Sequence, residues 1–321
     1  MKKIYFIVTL CTVVLITGVF FVVRGIKPNK TNVATITPPV QSTHVTTPAP
    51  VVSPQKPVIV PPVQVPETPD EDRLYRVHIM KTVDAKKELT AVVGEDNVVT
   101  LLKVNRIDLA NIKVGAKVII PTVFDEVVLS PFPVEYVEAE SIPKLLVISQ
   151  RVQAFGVYEK GVLVRWGPIS SGKKSTPTAN KLYSTNWKGK EVKSSFDDEW
   201  VLKYNFNIDN KNGIGFHQYE MPGYPASHSC VRLLLEDAMW LYEWADQWIL
   251  AGDGNTRLAH GTPVIVFGDY GFGKTAPWKL LTENPDATKV STDELNAELS
   301  KYMDTINQRQ AERDTVLGKN Q

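Results

Sequence analysis

The residues with the clearest chemistry lie between 217 and 232, where His217 is followed by the run Ser227-His228-Ser229-Cys230-Val231-Arg232. A thiol becomes a strong nucleophile when a nearby imidazole shifts it toward thiolate or takes its proton. Two of the five histidines fall within thirteen residues of Cys230, while His44, His78 and His260 lie elsewhere. The other cysteine, Cys11, sits in an apolar N-terminal run, so no disulfide framework is open to the folded part. Left alone, a single cysteine is most often a small buried hydrophobe. That reading needs an apolar frame, and Ser227, His228, Ser229 and Arg232 supply a polar one. Zinc is the competing use of two His and one Cys. No second cysteine or clustered carboxylate completes four ligands, so we expect no metal and no organic cofactor. The local signature of a papain-type cysteine is also missing.

These residues need a scaffold, and strands dominate from Lys144 onward. Leu145-Leu146-Val147-Ile148 reads as one strand. Ala154 to Tyr158 and Val162 to Trp166 read as a hairpin across Glu159-Lys160-Gly161. Trp200, Leu202, Tyr204, Phe206 and Ile208 alternate with Val201, Lys203, Asn205 and Asn207, which predicts a strand with one buried face. Asn210-Lys211-Asn212-Gly213 then turns the chain into a returning strand, Ile214 to His217. Pro263 to Phe267 is a later strand. Between them we expect one helix, from about Leu235 to Leu250, with Glu236 and Asp237 at its positive end and Gly252 as its stop. The tail from Ser291 opens with a Ser291-x-x-Glu294 capping box and reads as a polar helix lying on the surface or projecting from it.

The N-terminal part sets the location. Ile4 to Val23 is apolar over twenty residues, long enough to span a hydrocarbon core, and no small-residue cleavage site follows it. We therefore expect residues 1–27 to be an uncleaved single-pass anchor, with a cleaved signal peptide as the alternative. Residues 28–72 form a linker with ten prolines between Pro38 and Pro69, which cannot bury a core and favours an extended chain. At roughly 3.1 Å per residue it reaches about 100 Å. Lys and Arg total 36 against 35 Asp and Glu, so nothing calls for nucleic acid. Residues 73–123 form a small α+β module. Through Tyr75, Val77, Asn105, Gly115 and the ending Ile119-Ile120-Pro121 it resembles the LysM glycan-binding modules. The usual Gly-Asp-Thr after its first strand is replaced by Lys81 to Lys87. The resemblance implies glycan contact through residues 75–121.

The segment 144–270 resembles the YkuD-type L,D-transpeptidases, cysteine enzymes of bacterial peptidoglycan. The resemblance rests on His217, the run Ser227 to Arg232, and the upstream Ser170-Ser171-Gly172-Lys173 with Thr176-Pro177-Thr178. It implies a mainly β fold with α: a mixed β-sandwich catalytic domain with one buried helix, preceded by the α+β module and followed by a tail over 271–321. It further implies Cys230 as nucleophile, His217 as base and acid, and His228 as an orienting group. Backbone N–H groups around Ser229 and Cys230 would form the oxyanion hole, and Arg232, Ser227 and Tyr219 would contact substrate. The implied partners are a donor tetrapeptide stem and an amine acceptor, met on the extracytoplasmic (periplasmic) side of the membrane. Four departures stand out: Ser229 and Gln218 replace glycines, the interval from His217 to Cys230 is short, and Asn180 replaces another glycine. An L,D-carboxypeptidase using the same thioester, or a non-catalytic wall anchor, remains open on this reading.

Overall fold

The computed structural model describes residues 73–194 and 200–318. The expected anchor and linker lie outside the described residues. Among the described residues no helix is long and apolar enough to cross a membrane.

The chain begins with β1 (Tyr75–Ile79), α1 (Ala85–Val93), α2 (Val98–Asn105) and β2 (Lys117–Pro121). The two strands pair antiparallel from Tyr75 opposite Pro121 to Ile79 opposite Lys117. Leu89, Leu101, Ile112, Val118 and Ile120 fill the space between strands and helices. The buried Asn105 side chain ties α2 to β2, accepting from the Ile119 amide at 2.8 Å and donating to its carbonyl at 2.7 Å. In the loop that lacks Gly-Asp-Thr, the Glu88 carboxylate accepts from the amides of Lys81 and Thr82 at 2.7–3.0 Å. The small α+β module expected over 73–123 is present.

Next come β3 (Leu145–Ser149), β4 (Ala154–Glu159), β5 (Val162–Pro168), β6 (Lys181–Ser184), β7 (Lys188–Lys193), β8 (Val201–Asp209), β9 (Ile214–Gln218) and β10 (Val231–Leu233). They are followed by α3 (Leu235–Trp244), β11 (Ile249–Leu250), β12 (Arg257–Ala259), β13 (Pro263–Phe267), α4 (Thr292–Leu299) and α5 (Met303–Val316). One sheet has the order β5-β4-β3-β13-β6 and a second β10-β9-β8-β7. Leu146, Ile148, Phe155 and Val157 of the first pack with Phe206, Phe216, Val231 and Leu233 of the second, and with Ala238 and Leu241 of α3. This is the mixed β-sandwich with a buried helix. The expected hairpin β4–β5 turns through Lys160 and Gly161, both with positive φ (47° and 78°), the backbone that matches strand twist.

Two expectations need correction. The helix ends at Trp244, not Leu250, because the backbone of Asp246 is captured elsewhere. Its amide donates to Thr262 Oγ1 at 2.9 Å, and its carbonyl accepts from Thr185 Oγ1. Ile249 and Leu250 then pair with β12, and Gly252 falls in the connection between those strands. In β8 the alternation breaks at Tyr204 (φ 51°), where an extra residue lies between the pairs Lys203–Gln218 and Phe206–Phe216. Asn205 and Asn207, assigned to the exposed face, are buried, and Asn207 is satisfied by Asn186 at 2.8 Å. Of the two placements expected for the tail, it takes the first and lies on the surface. Ser291 caps α4 as expected, accepting from the Glu294 amide at 3.0 Å, and Leu295, Leu299 and Ile306 are buried on the outer face of the first sheet.

That same outer cluster includes Tyr75, Val104 and Ile119, so the α+β module shares a core with the strands behind it. Arg106, buried and with φ 58°, donates to the Val152 carbonyl at 3.0 Å and lies over the rings of Trp166 and Trp278 at 5.5 and 5.7 Å. Asp108 reaches the loop after β9: its amide donates to the Met221 carbonyl at 3.0 Å, and its Oδ2 accepts from the Met221 amide at 2.7 Å. Its Oδ1 accepts from the Asn111 amide at 2.9 Å. Asp108→Ala should therefore lower the unfolding free energy by about 1–3 kcal/mol, since it strips two amides of a charged acceptor. Hydrogen exchange at Met221 should accelerate; an unchanged urea midpoint and unchanged exchange would refute the clamp.

Candidate active site

β9 and β10 run parallel, with Phe216 opposite Val231 and His217 opposite Arg232. Side chains alternate between the two faces of a strand, so paired residues and those two positions away share a face. Cys230, two residues before Arg232 at the entrance to β10, is thereby brought to the His217 side. Both line one cleft of about 350 Å³ with Ser194, Trp200, Leu202, Tyr219, Ser227, His228 and Arg232. Six of the seven expected site residues meet there. The seventh, Ser229, lies in the backbone beneath.

His217 is 4 % exposed, and its Nδ1 lies 3.1 Å from the Gln218 carbonyl. Because a carbonyl can only accept, Nδ1 carries the proton and Nε2 keeps its lone pair. Burial depresses the imidazole pKa to about 4, the positive charge of Arg232 adds to the depression, and the bond to Gln218 opposes it. The ring is neutral at physiological pH and available as a base. Cys230 is half-buried, and its Sγ donates to the Gly213 carbonyl at 3.6 Å. Burial pushes the thiol above its ordinary pKa, against the pull of the Gly215 amide and of Arg232. The resting pair is thus imidazole and thiol. It suits proton transfer during attack better than a standing ion pair.

The loop carrying Cys230 is held from the segment 170–178. Ser170 exchanges backbone hydrogen bonds with Arg232 at 3.0 and 3.1 Å, and Lys173 donates its amide to the Ser227 carbonyl at 3.0 Å. Ser227 Oγ donates to the Cys230 carbonyl, closing the loop on itself. Thr178 Oγ1 donates to the Ser229 carbonyl at 2.9 Å, and Ser229 Oγ donates to that of Thr176 at 3.2 Å. A β-carbon at Gly172 would collide with the Thr176 carbonyl, so the Ser-Gly-Lys glycine is required for this close approach. Ser229 has φ 81°, the left-handed region that favours glycine, whereas Asn180 is not among the residues with positive φ.

The remaining residues shape the walls. Arg232 lies over the Tyr219 ring at 4.6 Å and donates to the Glu220 carbonyl at 3.2 Å. His228 Nε2 meets Lys173 Nζ at 2.9 Å, and its ring packs on Trp200 with centroids 5.6 Å apart. Sequence reasoning left out Trp200, Leu202 and Lys173 as site residues. Lys173 stood in a recognised motif, but nothing in the spacing tied it to His228, 55 residues away. Among the described residues no group of three or more metal-binding side chains is present.

With this geometry in hand, residues 143–266 match the family model of the L,D-transpeptidase catalytic domain, YkuD. No curated protein matches the chain. Among solved structures, an L,D-transpeptidase from Stackebrandtia nassauensis is 25% identical, with 40% of this chain and 57% of that one covered and a TM-score of 0.33. An L,D-transpeptidase from Mycobacterium smegmatis is 20% identical over 39% and 59%, with a TM-score of 0.31. L,D-transpeptidase 3 from Mycobacterium tuberculosis, in complex with a faropenem-derived adduct, is 24% identical over 39% and 60%, also at 0.31. The chain spans less than two thirds of the length of these structures. The matched residues, 143–266, contain His217, Cys230 and the whole of the cleft described above.

Two measurements test the site. A non-glycine residue in the left-handed region costs about 1–2 kcal/mol. Ser229→Gly removes that strain and loses one hydrogen bond, whereas Ser229→Ala loses the bond and keeps the strain. The order of urea midpoints should be Gly at or above Ser, with Ala lowest; Ala at or above Gly would show that the backbone is not strained here. Secondly, iodoacetamide alkylation of Cys230, followed by peptide mass mapping, should have its pH midpoint above the ordinary cysteine value. A reactive plateau at pH 6 would instead mean a preformed thiolate–imidazolium pair.

Proposed function

We propose that the protein is a peptidoglycan L,D-transpeptidase acting through a Cys230 thioester. The observation that carries this reading is the cleft shared by a neutral, buried His217 on β9 and the Cys230 thiol at the entrance to the parallel strand β10. His217 Nε2 takes the thiol proton as sulfur attacks the carbonyl of a donor tetrapeptide stem, on the L-centre side of its terminal residue. The C–N bond then breaks, the amine takes the proton from His217, and D-Ala leaves. In the second half an acceptor amine loses a proton to His217, attacks the thioester and releases the thiol. The amides of Ser229 and Cys230 are the proposed oxyanion donors, since donors fixed before reaction need no reorganisation during it. His228, held by Lys173, orients the wall formed by Trp200, and Arg232, Ser227 and Tyr219 face the substrate. The α+β module is proposed to contact glycan. Residues 1–27 are proposed to anchor the enzyme with its catalytic domain on the extracytoplasmic face.

Full-length protein given disaccharide-tetrapeptide as donor and acceptor should yield a cross-linked dimer and free D-Ala. Cys230→Ala should yield neither. His217→Ala should lower acylation by about 10²–10⁴-fold, the usual worth of a positioned base. His228→Ala should slow turnover while retaining acylation. D-Ala and tripeptide without dimer would assign the chain to the carboxypeptidases. No D-Ala from the wild type would leave a wall-binding role.

A further inference from the structure

A second cavity, of about 300 Å³, lies among β6, the β8–β9 turn, β12 and α5. Its walls carry Lys181, Lys211, Arg257 and Arg309 against a single carboxylate, Asp209. Asp209 is already engaged: it accepts from Lys181 Nζ at 2.9 Å and from the amide and side chain of Asn212 at 3.1 and 3.0 Å. Among the described residues, Lys211, Arg257 and Arg309 form no ion pair. The remaining nearby carboxylate, Glu312 on the next turn of α5, accepts from Gln308 at 2.9 Å.

Cations therefore outnumber carboxylates around the cavity: Asp209 is paired with Lys181, and Glu312 only partly offsets Arg309 and Arg257, which both act on His260. Burial, then the charges of Arg309 and Arg257, hold His260 down to about 4, so it stays neutral. Arg309 is itself half-buried and is repelled by Arg257. Like charges gathered around one cavity repel one another, and an entering anion offsets that repulsion. Arg309 spends one N–H on Ser184 Oγ at 3.1 Å, which leaves most of its guanidinium fork for a ligand.

We infer that this cavity binds a phosphate ester borne on a glycerol- or sugar-sized group, held by Arg257, Arg309 and Lys211. Phosphate fits better than a lone carboxylate on two counts. A monoester carries about −1.5 to −2 charge and three strong acceptor oxygens, against one charge and two oxygens. Guanidinium forks also bind phosphate bidentately. The volume of about 300 Å³ exceeds what a bare ion fills and sits at the lower end of the range of about 300–1,000 Å³ typical of small-molecule sites. Trp248 supplies an apolar wall for the carrier group. The inference is independent of the catalytic reading, for none of these residues lines the Cys230 cleft.

The test is calorimetric titration of the full chain at low salt with glycerol 3-phosphate, a monoester, and glycerophosphoglycerol, a diester, with acetate as control. One saturable phosphate site is expected, with acetate far weaker. Arg257→Gln should weaken it by at least about tenfold, the worth of one charge-assisted contact. Its thermal midpoint should not fall and its alkylation at Cys230 should not change, since exposed Arg257 makes no side-chain contact that holds the fold. Arg257→Gln with Arg309→Gln should abolish binding. Stronger monoester binding would identify a free sugar phosphate as ligand, and stronger diester binding a phosphodiester polymer or headgroup. No saturable heat, undiminished binding by Arg257→Gln, or acetate binding as tightly as phosphate would each overturn the assignment.

Discussion

Parallel strands cannot be joined by a tight turn, and a parallel pair normally needs a crossover of about a dozen residues or more. β9 and β10 are such a pair, and only twelve residues, Tyr219 to Cys230, join them. The connection has no helix to stiffen it. Its shape is imposed from outside, by Asp108 at Met221, by Ser170 on the backbone of Arg232, and by Lys173 on Ser227. The short interval read from the sequence and the bracing seen in the fold are one constraint. A helix-free loop at the lower end of that range is held in the parallel register by these neighbours. That register is what brings His217 and Cys230 to one face.

Holding the loop tightly also sets its electrostatics. Packing that excludes water from His217 and Cys230 favours the uncharged form of both groups, so burial moves the imidazole down and the thiol up. Arg232, on the same strand as the nucleophile, pulls the thiol toward ionisation while pushing the imidazole further from it. The stack of Arg232 on Tyr219 and its bond to Glu220 keep this charge at the rim.

Much of this was legible in the residues. The polar frame around Cys230 marked it out from a core thiol, and Lys160-Gly161 marked the hairpin. Ser229 was suspect as a substitute for glycine, and its φ of 81° is the backbone only glycine adopts freely. What was not legible depends on partners far along the chain. The end of α3 is set by Thr185 and Thr262, which no helix periodicity reveals. The contact of Asp108 with Met221 spans 113 residues. The bulge at Tyr204 hides inside an alternation that looks unbroken. The tail offered only Leu295, Leu299 and Ile306 as a sparse apolar stripe in a polar stretch, too weak a signal to distinguish docking from projection.

The outer core cluster joins Tyr75 near the start of the described chain to Ile306 near its end. A core assembled from such distant segments has high contact order, and its loop-closure entropy must be met before its contacts reward it. On a growing chain the strands bearing His217 and Cys230 emerge well before the residues that seal the sheet's far side. The outer face of β3 and β13, covered in part by the α+β module, is closed only when α4 and α5 have been made. Synthesis carries a built-in delay: the sandwich gains this part of its cohesion after its catalytic strands have already emerged.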